Sequence, residues 1–586
     1  EEVDLAAAYL FLRRLEHRIQ LATGLQTHAL PRDPALLSCI ARSLGFDGAA
    51  GLESELARVR ARVTERFVSL GREPTSVDPA FDRLAAALDE RDEAAVAAAA
   101  EARFGVVAAT DLPRHLLALA RSPEAPLGSL TRDRDPALAR LLVQSLADAA
   151  DPEQAARLLA SLFERFATPG AYVRALASDP QLVRALASLL GASTFLGEAL
   201  VGHPDLVDRI VYARVPPTPE VARAQLEEEV AALGPTPDVD AFVGALRRAK
   251  RRVTFEVGLA DLAGDLSPRE VSATLTALAD AALDRACRYA MRERELPEDR
   301  GLAVVAMGKL GGGEIGYGSD LDISFVYESA DEDAPELFAR VAQRVLRLVG
   351  TPHPEGAGYE LDTRLRPSGS QGLLVVSLEA FARYQAERAE SWERQALVRA
   401  RACAGDTELG GRVAAVAASA AYERGAPPPA EVHHLRMRME RELARERLDR
   451  PPRRYDLKLG RGGLLDVELA VQWLQMRHGG DPRVRTASTE TALAALDACG
   501  HIDPAAAETL RQGWRFLRRL EQRLRIAHGT SATLIEEGAP GLPALARRMG
   551  LHDAPRADAV ASLLDRYVAV TREIRAAYAQ VLGLGE

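Results

Sequence analysis

The sequence predicts a mainly α protein interrupted once by a small α/β domain with a mixed sheet, embedded between helical domains. Three observations carry that prediction. Alanine is very abundant while aromatic residues make up only 5% of the 586 residues, a composition suited to long Ala/Leu/Arg-rich helices. Apolar residues recur at helical spacing through most of the chain. Between about 300 and 380 that period gives way to alternation. The length exceeds what one core fills, and four regions are expected: a helical tail over 1–72, an all-helical middle over 75–295, the α/β domain over 296–425, and a C-terminal helical bundle over 426–586.

The opening region belongs to a repeat. Tyr9-Leu-Phe-Leu-Arg-Arg-Leu-Glu-His-Arg-Ile19 returns as Trp514-Arg-Phe-Leu-Arg-Arg-Leu-Glu-Gln-Arg-Leu524, and Ala41–Phe46 matches Ala546–Leu551 at the same offset of 505. Two matches in one ungapped register mark an internal duplication. Phe11, Leu12, Leu15 and Ile19 share one helical stripe and should face a core. Arg13, Arg14 and Arg18 should be solvated or ion-paired. The first residue is not Met, so the chain is expected to be a fragment or processed form that begins within the first copy.

From 75 to 295, helix follows helix. Ser267-Pro268-Arg269-Glu270 reads as a capping box with Pro at the first helical position, and Val271, Leu275, Leu278 and Leu283 follow on one face. Pro216-Pro217 and Gly234–Pro237 read as linkers. Leu302–Met307 and Leu321–Tyr327 then read as strands. Leu337, Phe338, Val341, Val345 and Leu348 mark an amphipathic helix stopped at Gly350. Tyr359–Leu365 alternates again and Leu373–Ser377 completes the sheet. Beyond about 425 the chain returns to helix.

A net charge of −10 argues against a general nucleic-acid binder, which needs a basic face. No run of some 18 apolar residues is present to span a bilayer, and the start has no secretory apolar region. The expected location is therefore the cytoplasm. Cys39, Cys287, Cys403 and Cys499 lie far apart, without CxxC spacing or a local histidine partner suggesting zinc, and read as reduced thiols.

The chemistry sits in Met307-Gly-Lys-Leu-Gly-Gly-Gly-Glu-Ile-Gly-Tyr-Gly-Ser-Asp-Leu-Asp-Ile-Ser-Phe325. A strand ends in a glycine-rich loop, and the loop feeds a strand that opens with Asp-x-Asp. Residues two apart on a strand share a face, so Asp320 and Asp322 project together. Two such carboxylates resist joint ionisation without a cation, and their hard oxygens suit Mg²⁺ or Mn²⁺. Gly308, Gly311 and Gly318 would let backbone N–H groups approach phosphate oxygens. Ser319 would add a hydroxyl and Lys309 a positive charge. In Tyr359–Arg366, alternation places Asp362, Arg364 and Arg366 on one polar face, giving a third carboxylate and two guanidinium groups for a metal–triphosphate site. Asp362 is also a candidate general base. Lys458–Gly463, ahead of a helix starting near Leu464, reads either as a nucleotide or protein contact or as a structural turn. Asp466 and Glu468 read as ordinary helix-dipole compensation, and His433-His434 as solvated.

Gly318-Ser-Asp-Leu-Asp322 after a glycine-rich loop resembles the nucleotidyltransferase superfamily of the DNA polymerase β type. More narrowly, MGKLGGGEIGYGSDLDISFVYE, YELDTRLRPSGSQGLLVVSLEAFARYQ, ESWERQALVRAR and YDLKLGRGGLLDVELAVQWLQMRHG resemble glutamine-synthetase adenylyltransferases across most of 300–480. Lys309 stands where the broad superfamily has Gly or Ser, a variation the narrower family tolerates. The resemblance implies a polymerase-β-like fold and AMP transfer from ATP to a tyrosine of glutamine synthetase, with a PII signal protein and glutamine as regulators. The family is tandem, one half removing AMP by phosphorolysis and the other adding it. The wording LDTRLRPSG and the position in the tandem imply the adding half, and no adenylyl-removing activity is expected. The alternatives are phosphorolytic removal of AMP, uridylylation of a PII-type protein, or a regulatory scaffold for glutamine synthetase or PII.

Overall fold

The computed structural model describes residues 11–584 except 17, 20, 21, 23–29, 32, 72–77, 106–109, 167, 213, 214 and 554–557. The chain divides into two compact units, Glu1–Arg83 and Leu84–Glu586. In the first unit, Leu15 and Ile19 pack on Leu37, Ile40 and Ala41 of the Pro34–Ser43 helix and on Leu52. Phe11 meets Phe46 edge-on at 6.3 Å. The apolar stripe thus faces a core, and Arg13 pairs with Glu16 at 2.6 Å. Tyr9, Leu10 and His17 of the repeat lie outside the described residues.

In the second unit, helices run from Glu93 to Arg292. Several begin with a polar residue and proline: Asp151-Pro152, Asp179-Pro180 and Ser267-Pro268. The cap side chain accepts a free N–H while proline has none to satisfy. Ser267 and Glu270 form the full capping box, and Val271, Leu275, Leu278 and Leu283 are buried. Among the described residues no single helix is long and apolar enough to cross a membrane; the apolar pair Pro180–Ala192 and Thr194–Gly202 is bent by 117°.

The mixed sheet contains β1 (Leu302–Ala306), β2 (Leu321–Tyr327), β3 (Leu361–Asp362), β4 (Val375–Ser377) and β5 (Arg401–Gly405). β1 runs antiparallel to β2 and β5, while β3 and β4 both pair in parallel with β2. Leu321, Ile323 and Phe325 are buried, and the Ala334–Gly350 helix packs through Phe338, Val341, Val345 and Leu348. β3 and β4 are shorter than the alternation predicts. After Asp362 the Arg364 N–H donates to the Asp362 side chain at 2.8 Å, an Asx-type turn that competes with the ladder and ends the strand.

The C-terminal part is helical with one addition, the antiparallel pair β6 (Arg454–Asp456) and β7 (Leu534–Glu536). Its core joins Trp473, Trp514, Leu517, Leu520, Ile574 and Tyr578. The second copy of the repeat lies within a helix spanning Pro504–His528. The chain is therefore mainly α with one α/β domain.

Candidate active site

β2 carries Asp322 and lies beside β3 in a register that sets Asp322 opposite Asp362. Asp320 immediately precedes β2. One carboxylate oxygen from each of the three lies within 4.8 Å of the others. Burial first, then the Asp320 charge, pushes the Asp322 carboxyl up to about 6, with Lys458 and Lys309 drawing it down. Asp362 is held below its ordinary range chiefly by hydrogen bonding to Arg364. Three crowded carboxylates, one of them resisting ionisation, are a donor set that a hard divalent cation completes, so the residues present fit Mg²⁺ or Mn²⁺.

The glycines of the loop are fixed by what surrounds them. At Gly308, where φ is +52°, an added Cβ would stand 2.1 Å from Asp322 Oδ2. Gly311 packs against the Arg399 carbonyl, 2.0 Å from where its Cβ would be, and donates its N–H to Met307 O at 2.7 Å. Gly318, with φ of +60°, lies against the Gly529 carbonyl. Close approach of other protein atoms therefore accounts for all three.

Lys309 is buried, and its ammonium ends on Glu521 Oε1 at 2.6 Å. Glu521 also accepts from Arg525 at 2.9 Å and from Arg518. Burial alone would raise this carboxyl, but Lys309, Arg518 and Arg525 override it and hold Glu521 below the usual carboxylate range. The same two arginines reach the loop directly. Arg518 donates to the Glu314 carbonyl at 2.5 Å, and Arg525 to Ser319 Oγ at 2.8 Å. Ser319 Oγ also accepts the Gly316 N–H at 2.9 Å. Further grips come from Arg523 on Asp261 at 2.8 Å, itself bonded to Tyr317, and from Thr489 N–H on Glu314 at 2.6 Å. The loop between Lys309 and Ser319 is thus clasped by the Pro504–His528 helix.

The arginines on the β3 side divide. Arg364 has a largely exposed side chain and pairs with Asp362. Arg366 turns to the Thr363 carbonyl at 2.5 Å and the Gly372 carbonyl at 3.2 Å, stapling its own loop. Lys458 is exposed and close enough for its charge to bear on Asp322. Its loop is internally satisfied: Lys458 and Leu459 N–H groups donate to Asp456, and Gly462 N–H to Asp466 at 2.8 Å. Asp466 is fully buried between Arg436 and Arg575, and Glu468 pairs with Arg399 at 3.4 Å. Both carboxylates are members of buried ion networks, more than dipole compensation requires. Of these residues, sequence reasoning missed Glu521, Arg518 and Arg525. The repeat had singled out their helix, and a Glu flanked by arginines at helical spacing was the available signal.

Two family models match the chain. That for glutamate-ammonia ligase adenylyltransferase matches residues 183–416. That for GlnD PII-uridylyltransferase matches residues 1–70 and again 433–582, two stretches that contain the two copies of the repeat. Similar proteins include enzymes described as bifunctional glutamine synthetase adenylyltransferase/adenylyl-removing enzymes. One from Bordetella bronchiseptica is 35% identical over 548 residues, covering 89% of this chain and 58% of that protein. One from Chromobacterium violaceum is 35% identical over 537 residues, covering 89% and 58%. One from Thioalkalivibrio sulfidiphilus is 36% identical over 524 residues, covering 82% and 52%. The chain spans rather more than half the length of these relatives. By these matches the chain is similar to the glutamate–ammonia ligase adenylyltransferases.

Proposed function

We propose that this chain transfers AMP from ATP to a tyrosine hydroxyl of glutamine synthetase, releasing pyrophosphate. The observation that carries the reading is the convergence of Asp320, Asp322 and Asp362 across paired strands at the mouth of a clasped glycine-rich loop. Asp320, Asp322 and Asp362 would hold Mg²⁺ or Mn²⁺. When bound, such ions neutralise the phosphate charge and draw the attacking and leaving oxygens into line.

The tyrosine oxygen bonds to the α-phosphorus as the bond to the β-phosphate oxygen breaks, and pyrophosphate leaves with that electron pair. Asp362, kept ionised by Arg364, takes the hydroxyl proton. Arg364 can swing to the triphosphate, and Lys458 supplies a second mobile cation beside Asp322. Lys309 acts through Glu521, holding the loop rather than touching phosphate. The partners of this reading are glutamine synthetase as substrate, and a PII protein and glutamine as regulators. The site of action is the cytoplasm.

The test is a transfer assay with α-labelled ATP, Mg²⁺ and purified glutamine synthetase, with UTP and an Asp320→Asn variant as controls. Label on a tyrosine from ATP alone, lost in the variant, supports the proposal. Phosphate-dependent release of ADP from adenylylated glutamine synthetase, without transfer, would reverse the direction assigned. Label from UTP would change the nucleotide, a control that the match to uridylyltransferases motivates.

A further inference from the structure

Away from the carboxylate triad, Asp481, Cys499 and His501 bring an oxygen, a sulfur and a nitrogen within 4.8 Å of one another. Each is held by local structure. Asp481 caps the turn at Pro482–Val484, accepting the Arg483 N–H at 3.0 Å. Cys499 caps the Thr489–Ala498 helix. Gly500, at φ of +69°, reverses the chain in the left-handed region so that Cys499 and His501 both reach Asp481. His501 Nε2 lies 3.6 Å from Asp481 Oδ2 and is shielded from solvent without a hydrogen-bond partner, an arrangement that leaves a buried polar atom wanting a ligand. The ring of His478 stacks on His501 at 4.1 Å and 11°, fixing its plane.

We propose that Asp481, Cys499 and His501 form a second metal site, for a thiophilic borderline cation of the Zn²⁺ class. Sulfur, imidazole and carboxylate together suit zinc, whereas the all-oxygen triad suits magnesium. Tetrahedral zinc with bonds of about 2.0–2.3 Å sets its ligands roughly 3.3–3.8 Å apart, so the three groups need close by only about an ångström. Three protein ligands leave a fourth position open to water. Binding displaces the Cys499 thiol proton to solvent and leaves a thiolate on the metal. Arg483, which pairs with Asp481 at 2.7 Å, has a side chain 70% exposed and is free to retain one carboxylate oxygen or withdraw. The sequence reading found no zinc spacing because two ligands form only a short Cys-x-His and the third arrives from the preceding turn.

The test is a Co²⁺ titration of the full chain in an Asp322→Asn background, which weakens competition from the oxygen site. One equivalent should produce thiolate-to-cobalt charge-transfer absorption with intense tetrahedral d–d bands, and Zn²⁺ should abolish both. Cys499→Ser should remove the charge-transfer band with an unchanged circular dichroism spectrum. His501→Ala, which spares the helix cap, should weaken Co²⁺ binding by about tenfold or more. A spectrum without a thiolate band, or a band that survives Cys499→Ser because another thiol such as Cys39 supplies it, would overturn the proposal.

Discussion

Asp322 has the least room of the three carboxylates: Gly308 leaves no space for a side chain beside it, and burial with Asp320 resists its charge. Asp322→Asn should therefore lower AMP transfer by about 10²-fold or more, the scale of losing one preorganised electrostatic group, with its melting temperature unchanged or raised. Near-normal transfer by that variant would remove Asp322 from the site. Arg364 differs, since its guanidinium is largely exposed and an ion pair whose cation stands in solvent contributes little to stability. Arg364→Ala should leave the melting temperature where it is and raise KM for ATP more than it lowers kcat, as steady-state kinetics would show. Glu521 makes the opposite case. Glu521→Gln leaves Lys309, Arg518 and Arg525 short of a buried counter-charge and should cost about 3–5 kcal/mol in a denaturant melt. Because its folded-state pKa is depressed, that contribution is complete above the ordinary glutamate pKa, about 4.3. It declines as pH falls towards the folded-state value. The stability gap between parent and Glu521→Gln should therefore narrow below that pH, and a constant gap would contradict the assignment of charge.

At the scale of elements, the loop between β1 and β2 behaves as a part held from outside. Gly308→Ala would need a left-handed alanine and a shift of Asp322; we expect transfer to fall while metal titration reports weaker binding. How far each element was legible follows from how local its causes are. β2 and its Asp-x-Asp were readable because alternation is written into adjacent residues. β3 was readable as a strand but not in length, since the Asp362 side chain captures the backbone that would have extended it. The destination of Lys309 could not be read at all, because its partner lies 212 residues further on and no pattern within the loop names it. The repeat exposed the partner helix but not its role. In the first copy the Arg13–Glu16 pair is partly exposed, while its counterpart Arg518–Glu521 is almost wholly buried. One sequence word thus has two electrostatic settings.

For the whole molecule, the α/β domain is not self-sufficient. Its loop is closed by Asp261 and Tyr317 on one side, Glu314 with Thr489 on another, and Glu521 with its arginines at the centre. Residues 296–425 expressed alone should be poorly soluble or lack cooperative unfolding, because Lys309 would lose Glu521 and Glu314 would lose Thr489 and Arg518, keeping Arg399. A cooperative melt from that fragment would show that the clasp is dispensable. The dependence also has a timetable. The three carboxylates have all been synthesised once residue 362 is made, but Glu521 is not. At about 5–20 residues per second, an emerging chain waits on the order of 10–30 s between owning its acidic residues and receiving the helix that orders them. Synthesis of the stretch between residues 362 and 521 therefore separates the acidic residues from the helix that clasps their loop.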